Sequence, residues 1–231
     1  MTAGLRRYLT APAPPAAAAP AAQERCELCA AAIPADHDHL ADLSGRSLPC
    51  VCRPCYLLFV PADPPSGSAA HQEQGPRRFA AVPREHLALP DFPLSDLDWA
   101  ALDVPVRLTF VIVDSALGRP VALYPSPAGA TESQLPPEAW VKVLARHPYT
   151  AQLPADVVAL LLHRSPDGPE AYVVPVDVCY RLVGLVRLHW RGFDGGEQAW
   201  AAIEGWLTQV RENAQEQVRE HAGTPVGSAH G

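Results

Sequence analysis

Charge is scarce in this chain and long apolar runs are missing from it. Charged residues make up 19% of its 231 residues, and the formal net charge is −7. The basic residues form no stripe; Arg6-Arg7 and Arg77-Arg78 are the only adjacent pairs. That balance argues against a protein built to hold a nucleic-acid backbone, so no nucleic-acid partner is expected. No segment stays apolar for about 18 residues, the length a spanning helix needs, so no membrane span is expected. Arg6-Arg7 is followed by an Ala/Pro-rich stretch rather than an apolar run, which excludes twin-arginine export and leads us to expect a cytoplasmic protein. Paired catalytic carboxylates, a Ser/His/Asp set on a recognisable elbow, a dinucleotide fingerprint and an internal repeat are also lacking. An enzyme is therefore the less favoured class.

What is present is concentrated. Five of the 6 cysteines fall between Cys26 and Cys55, and four of them make two Cys-x-x-Cys pairs, Cys26/Cys29 and Cys52/Cys55. The pairs are separated by 22 residues, Ala30 to Val51. Each Cys-x-x-Cys turn aims two thiolates at one point, and two such turns facing each other make a tetrahedral cage for zinc or iron. The spacing fits a zinc-ribbon or rubredoxin-like module. In a reducing cytosol, metal binding is favoured over disulfides. A segment of about 35 residues buries too little apolar surface to fold alone, so a structural zinc would supply the missing stability.

Iron is the rival metal. Rubredoxin knuckles usually carry glycine after the second cysteine, where this chain has Ala30 and Tyr56, and bulk there would crowd the N–H···S contacts that tune iron. Cys50 competes for a place in the cage. The Cys-x-x-Cys spacing favours Cys52 and Cys55 and leaves Cys50 a spare or supporting thiol. With four cysteines in place, His37 and His39 are left as loop or strand residues.

The organisation follows from composition. Residues 1–23 read as a disordered Ala/Pro-rich arm, 24–60 as the four-cysteine metal-binding module, 61–76 as a linker, 77–212 as an α+β domain and 213–231 as a flexible tail. Within the domain, strands are expected over 104–114, 119–124, 156–163 and 171–176, with a Ser165–Gly168 turn between the last two. Helices are expected over 136–146, from an Asp177 cap, and over 197–212 with Trp200, Ile203, Leu207 and Val210 on one stripe. Trp190, Phe193, Trp200 and Trp206 read as core residues. Tyr124–Ser133 reads as an ordered loop able to line a pocket, and Tyr56–Phe59 as an apolar strand. Cys179 reads as a small buried hydrophobe rather than a nucleophile.

Four segments together carry a resemblance. They are Arg25-Cys26-Glu27-Leu28-Cys29, Cys50-Val51-Cys52-Arg53-Pro54-Cys55-Tyr56-Leu57-Leu58-Phe59, Tyr124–Ser133, and Trp190-Arg191-Gly192-Phe193-Asp194-Gly195-Gly196. With them the chain resembles an uncharacterised actinobacterial family whose genes lie beside nickel–iron hydrogenase genes. The resemblance implies an accessory or assembly role, with a hydrogenase subunit or maturation protein as partner. A rubredoxin-like electron carrier in hydrogenase maturation or oxygen protection is the alternative it allows.

Overall fold

The computed structural model describes residues 23–60, 78–90, 92–104, 106–192 and 195–223. The Ala/Pro-rich arm, apart from Gln23, and the expected linker lie outside the described residues, as do Phe193 and the end of the tail.

The cysteine module is built on a small antiparallel sheet. β1 (Asp38–Asp42) sits between β2 (Cys50–Val51) and β3 (Phe79–Ala81). A short helix, α1 (Arg53–Leu57), follows β2 directly. Asp42 closes the β1–β2 connection by accepting from the backbone N–H groups of Ser44 and Gly45 while Arg78 donates to its other oxygen at 2.9 Å. A β-carbon at Gly45 would stand 3.0 Å from that carboxylate, a tight contact that the Asp42 side chain would have to shift to relieve. Cys26, Ile33, Leu40, Val51 and Tyr56 are its buried core.

The larger region is a six-stranded antiparallel sheet in the order β4-β9-β8-β5-β6-β7. Its strands are β4 (Leu87–Ala88), β5 (Leu108–Asp114), β6 (Arg119–Ser126), β7 (Gly129–Glu132), β8 (Val158–Ser165) and β9 (Gly168–Pro175). Helices cover both faces. Ala159 and Leu161 of β8 pack toward α5 (Val176–His189) and α6 (Gly196–Gly223). Leu160 and Leu162 pack toward α2 (Asp96–Ala101) and α3 (Pro137–Leu144). A short helix, α4 (Pro148–Ala151), follows α3. A strand covered on both faces has no solvent side, which is why β8 reads as an unbroken apolar run instead of alternating. The architecture is α+β, as expected. Among the described residues no helix is long and apolar enough to cross a membrane.

Several local expectations change. Tyr124–Ser133 is not a loop: most of it forms the β6–β7 hairpin, with Ser126 paired to Gly129, whose φ of 126° permits the tight reversal. The segment after Cys55 continues α1 and does not form a strand, because the α1 backbone continues from Cys52, whose carbonyl accepts from Tyr56 N–H at 3.0 Å. Asp177 lies inside the first turn of α5 and Pro175 takes the cap position, so Asp177 is free for another role. The last helix runs on to Gly223, past the expected start of the tail. On its stripe Trp206 is buried with Ile203, Leu207 and Val210, while Trp200 lies at the edge against Trp190. The module joins the sheet domain through a cluster of Ala41, Val82, Val157 and Val176.

Candidate metal centre

The first cysteine pair sits in a tight reversal that the backbone closes by itself. Cys26 N–H donates to the Ala31 carbonyl at 2.8 Å, Ala30 N–H donates back to Cys26 at 2.8 Å, and Ile33 N–H reaches Glu24 at 3.0 Å. Ala30 takes the left-handed conformation at φ 61°. That is the position where glycine would be easiest, and an alanine there costs on the order of 1 kcal/mol. The turn forms despite its β-carbon.

The second pair is held differently. Cys52 is the N-cap of α1, in extended conformation, and Cys55 lies in the helix with Pro54 in the first turn between them. Proline suits that turn because its missing N–H would have had no helical partner. The centre is thus one backbone turn facing the start of one helix, not two matching turns.

These two supports bring the sulfurs of Cys26, Cys29, Cys52 and Cys55 to within 4.8 Å of one another. Cys29 Sγ and Cys52 Sγ lie 3.6 Å apart. A tetrahedral ion with bonds of ~2.3 Å to sulfur needs edges of ~3.8 Å, so the spacing of the four thiols is of the size that could hold such an ion. Cys26 is buried and Cys29 is exposed, with Cys52 and Cys55 between. Burial pushes the Cys26 thiol up, but N–H groups of Cys52, Cys29 and Leu28 outweigh it and bring it down to about 6. Cys55 moves the other way, to about 12, because the thiols of Cys52 and Cys29 crowd it. Four thiols packed this closely cannot all ionise unless a cation neutralises them.

Cys50 stays outside this group. Its backbone ties the two halves together: its carbonyl accepts from Glu27 N–H at 2.9 Å, and its own N–H donates to the Glu27 carboxylate at 2.7 Å. Its side chain faces His39, its partner across the β1–β2 ladder. Burial, together with the charges of Glu27, Glu24 and Asp177, raises its pKa. His37 and His39 lie on the same side as Cys50, and one nitrogen from each ring groups with its sulfur within 4.8 Å. Sequence reasoning left these three idle. The alternating Asp36-His37-Asp38-His39 run, read as a strand, was the available signal. It puts both histidines on one face and Asp38 on the other, where Arg84 donates to it at 2.7 Å.

Other sequence candidates carry no site. Cys179 is fully buried, and burial with Asp177 nearby pushes its thiol far up, which suits a core residue and not a nucleophile. No curated protein and no solved structure matches the chain. A family model does match, over residues 25–214, so the stretch that holds both cysteine pairs and the sheet domain is a unit shared with other proteins, and the chain belongs to DUF5947, a family of unknown function.

Proposed function

We propose that the protein is a non-enzymatic accessory or assembly factor in which a structural zinc, held by Cys26, Cys29, Cys52 and Cys55, fixes a docking surface. The observation that carries this reading is the apolar surface beside the cage. Leu58 is 76% exposed, Leu57 53% and Leu28 40%, and all three lie within three residues of a cage cysteine. Exposed leucines next to the cage cysteines give a partner protein apolar side chains to cover. The partner follows from the sequence resemblance: a subunit or maturation protein of a nickel–iron hydrogenase.

Two measurements test it. The purified chain should hold zinc at the four-thiol site with no visible absorption, and it should capture a hydrogenase subunit or maturation factor. A Leu57→Ser/Leu58→Ser variant should keep its zinc and lose capture. Failure of the zinc-loaded chain to capture either class of protein, or equal capture by the variant, would overturn the docking reading. Intense visible absorption from a ferric four-thiolate centre would replace it with the electron carrier, since a sulfur-only cage accepts both metals.

A further inference from the structure

Two buried polar atoms without a hydrogen-bond partner among the described residues belong to residues that line one cleft: Nε2 of His37 and Oδ1 of Asp177. The histidine side chain is only 9% exposed. Its Nδ1 lies 2.9 Å from the Pro34 carbonyl oxygen. A carbonyl only accepts, so Nδ1 carries the proton there, and in the neutral ring Nε2 bears a bare lone pair. Leaving such a nitrogen dry and unpaired costs about 1–3 kcal/mol.

Two further donors converge there. His39, in β1, lies two residues past His37, which directly precedes the strand, and their rings meet on one side; Cys50 is the cross-strand partner of His39. The two imidazole rings are 4.8 Å apart and tilted by 53°. One nitrogen from each ring and the Cys50 sulfur lie within 4.8 Å of one another. His39 Nδ1 in turn lies 3.0 Å from Asp177 Oδ2, from the first turn of α5. His37 Nδ1 is thus taken by a carbonyl and His39 Nδ1 lies at ion-pair distance from a carboxylate, which leaves Nε2 of each ring as the nitrogen for a ligand. This is how metal-binding histidines are oriented by their outer partners.

We propose that His37, His39 and Cys50 bind a second metal ion, zinc, through the two Nε2 atoms and Sγ. Two nitrogens and one sulfur suit zinc. Three protein donors leave a fourth position for water or a small ligand, and His37 and Asp177 also help to line a cleft of about 750 Å³. The site stands apart from the proposed docking role, because none of its donors belongs to the four-thiol cage. Asp177 is a positioning residue: it acts through His39.

The test is metal counting on the full chain. After equilibration with zinc and removal of loosely bound ion, the native protein should hold one more zinc per chain than Cys50→Ala and His37→Gln/His39→Gln. That difference is independent of how the four-thiol cage is filled. X-ray absorption of the zinc-loaded native protein should show a nitrogen shell at ~2.0 Å beside sulfur at ~2.3 Å, and the variants should lose the nitrogen shell. Asp177→Asn should weaken the second zinc about 10–100-fold in chelator competition, whereas an aspartate with only a packing role would leave it unchanged. If Cys50→Ala does not fold, His37→Gln decides, since it leaves every thiol in place. Equal zinc in the native protein and in folded His37→Gln/His39→Gln, or a sulfur-only spectrum of the native protein, would overturn the site.

Discussion

The two regions of this molecule reach order by different means. The sheet domain is organised by apolar burial: β8 is lined on one face by Ala159 and Leu161 and on the other by Leu160 and Leu162, each against its own pair of helices. The cysteine module has a small core of Ile33, Leu40, Val51 and Tyr56 around Cys26, with Phe59, Phe79 and Ala81 packed against it. Its remaining order comes from backbone hydrogen bonds around the thiols and from charged contacts such as Asp42 with Arg78 and Asp38 with Arg84. A region so short of apolar surface depends on what its polar groups hold, whereas a region built like β8 depends on its volume being filled.

The largest expected effect breaks the module alone. Cys26→Ser removes the most buried cage thiol, and apparent stabilisation by such an ion is on the order of 10 kcal/mol. Calorimetry should show the module's transition lost and the sheet domain's retained, with metal content falling in parallel. A variant that keeps both its metal and its transition would show that the thiols are not what holds the module. Leu161→Ala is the mirror experiment. It should cost the sheet domain about 2–5 kcal/mol in denaturant titration and leave zinc content unchanged. Loss of zinc in that variant would mean the two regions fold as one unit.

Tyr56→Phe probes the seam. The hydroxyl donates to the Val82 carbonyl at 2.9 Å, linking α1 to the chain that leaves β3. Removing it leaves a buried acceptor unmet, at a cost of about 1 kcal/mol. The metal should stay, because the Tyr56 ring touches the cage only through packing and its backbone hydrogen bond to Cys52 is unchanged by the substitution. A larger loss, accompanied by zinc release, would make this tyrosine part of what positions Cys55.

How much of this was legible in the residues differs between the regions for the same reason that their stability does. Spacing is local, so the two Cys-x-x-Cys pairs and the grouping of four thiols could be read directly. Apolar runs are nearly local, so β8, β9 and the start of the final helix were legible within a few residues, and Ser165–Gly168 as the turn between the strands, while the helix runs on to Gly223, well past its expected end at Glu212. What escaped depends on register and approach. Nothing in the spacing says that Cys50 faces His39, because that follows from how β1 pairs with β2. Nothing near Asp177 says that it meets His39, because α5 and the module are far apart in sequence. Tyr124–Ser133 misled for a local reason: its prolines and small residues read as loop, yet they pair across a short hairpin.

The smallest effect concerns a partly buried contact in the sheet domain and carries a sign. Asp98 lies in α2, where it completes a capping box with Ser95. The Arg146 guanidinium, at 2.7 Å, holds its carboxyl well below the usual carboxylate range, and the Ser95 hydroxyl and N–H add to this. A carboxylate depressed in the folded state contributes stability above its unfolded pKa of about 4 and loses it as pH falls through the lower folded value. Asp98→Asn keeps the cap but not the charge. Its melting temperature should therefore lie below that of the native protein at pH 7, and the gap should close on acidification below about pH 4. Because Asp98 sits in the sheet domain, away from the thiols, zinc retention at pH 7 should be identical in the two proteins. A gap that stayed constant with pH would assign the effect to cap geometry instead of charge.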